Sequence, residues 1–141
     1  MKPHIFLRFA SIFTLIHAVL HTIGGVFGKP ARGAAATAFT AMQSNHFPVA
    51  GHMRSYAAFY VGFGIAVSIF LTVEAVVFWM LASLAKRDAP ALRPILWAFL
   101  IAYVALAINS FAYFFAGPVV NELLIAGCLA GAIYAARPAA H

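Results

Sequence analysis

The chain has 141 residues, of which 65% are hydrophobic and only 9% are charged. Soluble domains carry about 25% charged residues, so this composition excludes an ordinary soluble fold. The formal net charge is +6, but the Lys and Arg residues lie mainly at the ends of apolar runs. That distribution is typical of a membrane topology signal and argues against a nucleic-acid partner.

Four long apolar runs dominate the sequence, at residues 5–27, 56–84, 95–115 and 119–136. Each reaches or nearly reaches the roughly 20 residues that an α-helix needs to cross a bilayer. Helices satisfy their own backbone hydrogen bonds in lipid, and short connections favour a compact arrangement. The sequence therefore predicts an all-α integral membrane four-helix bundle, a single domain over residues 1–141, with the lipid bilayer as its partner.

The connections between the runs predict two further features. Residues 34–47 are rich in alanine with a few apolar side chains, which indicates a short amphipathic helix on the membrane surface in the first outer loop. Gly117 and Pro118 predict a tight outer hairpin between the third and fourth spans. Asn121 and Glu122 then begin the last helix, where a carboxylate suits the helix dipole.

The distribution of positive charge predicts the orientation of the chain. If all four runs span, six basic residues lie on one side and three on the other, and the richer side is expected in the cytoplasm. We therefore expect a multi-pass protein of the bacterial cytoplasmic (inner) membrane with both termini cytoplasmic. The two sets are Lys2, Arg8, Lys86, Arg87, Arg93 and Arg137 against Lys29, Arg32 and Arg54.

His17 and His21 are the most specific polar pair in the apolar runs. Their spacing of four places both rings on one face of the first helix. The pair is compatible with a metal site, but zinc needs three or four ligands, and the candidates to complete the site are His46, His52 and Glu122. The metal set predicted here is His21, His46 and His52. The alternatives are hydrogen bonds to neighbouring helices or a ligand or proton-transfer role. Spans two to four contain no histidine, so a bis-histidine haem is not expected.

A second group of polar residues is predicted at the outer end of the bundle. Tyr56 and Tyr60 begin the second span at the outer end. The same span carries Glu74 and Trp79 further along, and both are expected close to the cytoplasmic interface. Apolar walls with a few directional polar groups are typical of a small-ligand site. The predicted ligand-binding set is His17, His21, Arg54, Tyr56, Tyr60, Asn109, Tyr113 and Glu122; no catalytic residue is assigned.

Gly127 and Gly131 form a small-xxx-small motif in the last span. This motif is typical of close helix packing, either within the bundle or between subunits of a homo-oligomer or a larger membrane complex. Cys128 is the only cysteine, so no internal disulfide and no dithiol can form.

Several short motifs resemble a group of short bacterial four-helix membrane proteins without an assigned activity. The motifs are His21-Thr22 before Gly24, Arg54-Ser55-Tyr56, and the run Phe59-Tyr60-Val61-Gly62-Phe63-Gly64. More loosely, the layout is similar to DoxX-type proteins, which implies a link to respiratory or thiol chemistry. Because Cys128 is the only cysteine, the chain has no dithiol to support thiol chemistry of that kind.

The sequence names no reaction, and whether the protein is an enzyme stays open. The favoured prediction is a small membrane protein that binds or handles a small, lipophilic ligand in a polar site near the outer leaflet. One alternative is a non-catalytic subunit packed in a larger membrane complex. The other is a metal-dependent membrane enzyme, with a metal ion as its cofactor.

Overall fold

The structure, a computed structural model, describes residues 2–28, 30 and 32–137. Within these residues the chain forms five α-helices and one β-hairpin. A π-helical turn, His21–Val26, follows the first helix, and a 3-10 turn, Pro90–Leu92, precedes the fourth. The elements are α1 (Pro3–Leu20), α2 (Ala34–Ser44), β1 (His46–Val49), β2 (His52–Ser55), α3 (Tyr56–Leu84), α4 (Arg93–Tyr113) and α5 (Ala116–Ala135).

Four of the described helical segments are long and apolar enough to cross a membrane. Only 22–33% of the most apolar window of each is buried inside the chain. The remaining apolar surface suits contact with lipid, so the chain is a multi-pass helical membrane protein. The segments are Pro3–Val26, Tyr56–Leu84, Pro90–Tyr113 and Ala116–Ala135, which confirms the four predicted spans as helices.

The contacts divide the chain into two compact units. The first unit comprises Met1–His17 and Leu71–His141 and contains the main apolar core. Phe78 is fully buried there, with its ring 4.9 Å from Phe99 and 6.0 Å from Tyr103. Small and branched side chains of α1, α3 and α5 complete this core, among them Leu7, Ala10, Leu81, Ala82, Ile125, Leu129 and Ala132.

The second unit, Ala18–Phe70, contains the π-helical turn, α2, the hairpin and the first half of α3. The helix predicted within residues 34–47 is present, but it ends at Ser44. A hairpin follows, where the sequence predicted only a break at Pro48 and Gly51. Ala50 and Gly51 have φ values of 46° and 81°, the positive values that a two-residue hairpin turn requires.

The predicted hairpin at Gly117 and Pro118 is wrong in position. The connection between α4 and α5 lies at Phe114 and Phe115, and both predicted turn residues belong to the first turn of α5. Proline is tolerated there because the first amide groups of a helix have no acceptor within the helix. The Gly-Pro pair therefore begins the last helix and does not precede it.

Candidate functional site

Two of the three acidic residues of the chain lie inside the membrane-spanning segments of the first unit. Glu74 lies on α3 and is half-buried, and Glu122 lies on α5 with only 4% of its surface exposed. A carboxyl group in hydrocarbon is costly unless protein groups bind it, and such residues are rare outside functional sites. These two side chains are therefore the starting point of the candidate site.

Glu74 is held by a tyrosine that the sequence analysis did not single out. The hydroxyl of Tyr103 donates to Oε2 of Glu74 at 2.9 Å, and its oxygen lies 3.4 Å from Oγ1 of Thr14. Tyr103 is fully buried at the middle of α4. Glu74 therefore lies level with the centre of that span, about 15 Å from the end of α3 at Leu84 at 1.5 Å per residue. This geometry favours a deeper position than the predicted one near the cytoplasmic interface.

Glu122 is bound on one side only. The hydroxyl of Ser110 on α4 donates to Oε1 of Glu122 at 2.9 Å. Oε2 is buried and has no hydrogen-bond partner among the described residues. Because α5 begins at Ala116, Glu122 lies in the second turn, and the expected capping role at the helix start is wrong.

Five side chains of the first unit form two hydrogen-bonded groups, Thr14 with Tyr103 and Glu74, and Ser110 with Glu122, which we refer to together as the carboxyl cluster. Two further hydrogen bonds connect the same helices. Ser11 on α1 donates to the carbonyl oxygen of Ala75 on α3 at 2.7 Å, and Asn121 on α5 donates to that of Phe13 on α1 at 3.3 Å. The cluster is thus held by α1, α3, α4 and α5, and polar contacts on rigid helices position its groups.

His21 occupies a separate site in the second unit. Its Nε2 lies 3.2 Å from the carbonyl oxygen of Gly64, and because a carbonyl only accepts, Nε2 carries the proton in this contact. Thr22 donates to Ser68 at 2.8 Å, and Tyr60 donates to the carbonyl oxygen of Gly25 at 3.2 Å. His21 therefore joins the π-helical turn to α3, as in the hydrogen-bonding alternative of the sequence analysis.

Two of the motifs noted in the sequence, His21-Thr22 before Gly24 and the run at residues 59–64, meet at this junction. A Cβ atom added to Gly64 would lie 2.9 Å from Cγ2 of Val26, so the glycine allows the turn to approach α3 closely. Thr22 also donates to the carbonyl oxygen of Ala18 at 2.6 Å. Hydroxyl bonds of this kind compete with the helical ladder, and the adjacent pair Gly24–Gly25 weakens the α-helix further. These contacts explain why α1 ends in a π-helical turn.

The remaining predicted ligand residues are placed differently. His17 is half-buried in the first unit. Asn109 and Tyr113, on α4 of the same unit, are exposed, and 78% of the surface of Tyr113 is accessible. In the second unit Arg54 is exposed and bonds only to the neighbouring carbonyl of Met53 at 3.3 Å among its described contacts. Tyr56 packs its ring 4.6 Å from that of Phe47. Of the predicted set, only Glu122 belongs to the carboxyl cluster.

The predicted metal set has no geometric support in the described residues. No three His, Cys, Asp or Glu side chains lie together there. The hairpin register pairs His46 with Ser55 and His52 with Val49. The two histidines are thus three pairs apart, about 10 Å along the strands, and point to opposite faces. His46 instead has Nδ1 at 2.9 Å from the carbonyl oxygen of Ser44.

Sequence reasoning missed Tyr103 and Ser110 because α4 is apolar on every side. Its buried residues are Leu96, Tyr103, Ala107 and Ser110, a spacing of seven, four and three that marks one helical face. The sequence pointed to the neighbouring face because Asn109, the residue before Ser110, is also polar. The spacing of seven between Tyr103 and Ser110 was the available signal.

Comparison of the chain with profiles of known protein families, with curated proteins and with solved structures gave no match. The resemblance to short bacterial four-helix proteins and the looser DoxX-like layout therefore stay predictions.

Proposed function

We propose that the protein is a four-helix membrane bundle that binds a small lipophilic ligand at the carboxyl cluster, with Glu122 as the residue that contacts it. One observation carries this proposal. Oε2 of Glu122 has no hydrogen-bond partner among the described residues, although the side chain is only 4% exposed. An unsatisfied buried polar group costs about 1–3 kcal/mol, and more when charged. A ligand that donates a hydrogen bond to Oε2 removes this cost.

The surroundings of Glu122 favour one class of ligand. Ile125, Ala126 and Leu129, which follow it on α5, are buried apolar side chains. Because the open group is a carboxyl oxygen, the complementary group is a hydroxyl or a protonated amine. The carboxyl group of Glu122 itself disfavours an anionic ligand through like-charge repulsion. We therefore assign the ligand to small apolar molecules with one hydroxyl or amino group.

The position of the site follows from the helix geometry and the charge distribution. Glu122 is six residues from the start of α5 at Ala116, about 9 Å at 1.5 Å per residue. The excess of Lys and Arg at the opposite ends of the spans supports cytoplasmic termini in a bacterial inner membrane. On this orientation the ligand site lies in the outer half of the bilayer.

The test compares the full-length protein with Glu122→Gln, which keeps the shape of the side chain and removes the carboxylate. Octylamine and octan-1-ol serve as probes, and the thermal unfolding of the purified protein is measured with each. We expect both probes to raise the melting temperature of the wild type and to have little effect on Glu122→Gln. Asp88→Asn is the matched control because Asp88 lies outside the spans. An equal response of Glu122→Gln and wild type would overturn the proposal.

A second candidate function is a non-catalytic subunit of a larger membrane complex or a homo-oligomer. It is supported by Gly127, which is exposed and has open space where a Cβ atom would lie. Small residues on an outward helix face allow another helix to approach closely in lipid. Under this alternative the wild type is indifferent to both probes, and its oligomeric state depends on Gly127.

A further inference from the structure

The cytoplasmic ends of the spans, as oriented above, carry a concave basic surface in the first unit. An open depression of about 550 Å³ is lined by Lys2, Pro3, His4, Ala85 and Lys86. It lies between the first turn of α1 and the residues that follow α3. Lys2 and Lys86 are exposed, and Ala85 forms a buried part of the wall. We refer to this depression as the basic pocket.

None of the residues that line the basic pocket is acidic. The chain has three acidic residues, and two of them, Glu74 and Glu122, lie inside the spans. The third, Asp88, accepts a hydrogen bond from the backbone amide of Ala91 at 3.2 Å and does not line the pocket. The pocket is therefore complementary to an anion.

A third cation lies one helical turn below the pocket, on the face of α1 that carries His4. The guanidinium group of Arg8 lies 3.4 Å from the centre of the Trp79 ring and donates from Nη2 to Ser83 at 3.0 Å. Its Nη1 is buried and has no hydrogen-bond partner among the described residues. Trp residues concentrate where hydrocarbon meets headgroups, so Arg8 adds a positive charge close to the depth of lipid phosphate groups.

From this arrangement we infer that the basic pocket binds the phosphate headgroup of an anionic membrane lipid. Lys2 and Lys86 contact the phosphate, and Arg8, which lies one turn deeper and outside the lining, adds positive charge to the field of the pocket. The acyl chains then lie along the outward apolar surfaces of the spans, of which Trp79 and Met80 are 51% and 59% exposed. A basic pocket at the cytoplasmic ends of membrane helices is a recurrent site for such headgroups. This inference does not depend on the carboxyl cluster.

The test measures lipid preference at Trp79 in the full-length protein. With Trp97→Phe as the background, Trp79 is the remaining tryptophan, and brominated phosphatidylglycerol quenches it on contact. The protein is placed in phosphatidylcholine vesicles with increasing phosphatidylglycerol. We expect phosphatidylglycerol to quench Trp79 in preference to phosphatidylcholine. In Lys2→Gln/Lys86→Gln the affinity for phosphatidylglycerol should be about 30-fold weaker, because each Lys near an anionic surface contributes about fivefold to the affinity.

Two controls separate the pocket from general electrostatics. Arg32→Gln/Arg54→Gln removes the same charge from the second unit and should keep the preference. Lys2→Arg/Lys86→Arg keeps the charge of the pocket and should also keep the preference for phosphatidylglycerol. An equal loss in the Arg32/Arg54 variant, or wild-type preference in Lys2→Gln/Lys86→Gln, would overturn the inference. Displacement of the lipid by inorganic phosphate at constant ionic strength would assign the pocket to free phosphate and overturn the lipid assignment.

Discussion

The hydroxyl of Tyr103 donates a 2.9 Å hydrogen bond to Oε2 of Glu74, and this bond joins two spans at the middle of α4. Tyr103 is fully buried, whereas Glu74 is half-buried. In an apolar interior the alternative to this bond is an unsatisfied carboxyl group. The pair thus fixes how α3 and α4 pack within the first unit.

The Tyr103–Glu74 pair predicts a coupled effect on stability. Tyr103→Phe removes the donor and should lower the free energy of unfolding by about 1–3 kcal/mol, since it leaves a buried acceptor unsatisfied. Glu74→Gln keeps an acceptor oxygen and should cost less. A double-mutant cycle, followed by unfolding in detergent, should show non-additive changes because the side chains are in contact. Strictly additive changes would mean that the bond contributes no stability.

The close approach of Gly64 to the π-helical turn predicts opposite effects for two nearby glycines. Gly64→Ala places a Cβ atom 2.9 Å from Val26 and should destabilise the protein by about 1–3 kcal/mol through overpacking. A Cβ atom added to Gly62 would meet open space. Gly62→Ala should therefore be neutral or stabilise the protein by up to about 1 kcal/mol through helix propensity. Thermal unfolding of both variants provides the comparison, and Val26→Ala should rescue Gly64→Ala. Equal melting temperatures for the two single variants would contradict the predicted contact.

The small-xxx-small motif of α5 predicts different roles for its two glycines. A Cβ atom on Gly131 would lie 2.7 Å from the ring of Phe6, whereas one on Gly127 meets open space. Gly131→Leu should therefore lower stability by about 1–3 kcal/mol, with partial rescue by Phe6→Ala. Gly127→Leu should leave the stability of the monomer unchanged. Light scattering of Gly127→Leu tests the oligomer proposal, because loss of an oligomer would assign this face to a subunit contact.

The bond between His21 and Gly64 predicts that the imidazole is replaceable by an amide. His21→Gln keeps a donor for the carbonyl oxygen and should cost little, whereas His21→Leu should cost about 0.5–1.5 kcal/mol, the typical net value of one hydrogen bond. Melting temperature and metal content of the purified variants are the measurements. Loss of a bound metal in a folded His21→Gln variant would restore the metal hypothesis and contradict a packing role.

The charge distribution predicts the topology. Single cysteines at Ala36 and Ala89, in a Cys128→Ser background, should react with an impermeant maleimide from opposite sides of the membrane, with Ala36 labelled from outside. The physical basis is the excess of Lys and Arg at the ends of the spans next to Ala89. Labelling of both positions from one side would refute the arrangement of four spans with cytoplasmic termini.

The sequence alone determined that the helices lie in lipid and where the four spans are, because both depend on local composition. The length of the apolar runs and the scarcity of charge predicted four helices, and the second was predicted with the bounds that it has, Tyr56–Leu84. The helix in the first loop was also predicted, since its alanines favour a helix wherever it lies. In contrast, the hairpin after α2 depends on positive φ values at Ala50 and Gly51, which the sequence around Ala50 does not signal.

The partners of the polar side chains were decided only by the tertiary structure. Asn109 and Ser110 are adjacent and both polar, yet only Ser110 is buried and binds Glu122. Because α4 is apolar all round, its sequence does not indicate which face turns inward. Glu122 was read as a helix cap because Gly117 and Pro118 were placed in the turn, and the true start at Ala116 moved it one turn inward. Hydrogen bonds between helices far apart in sequence depend on packing, which local pattern does not encode.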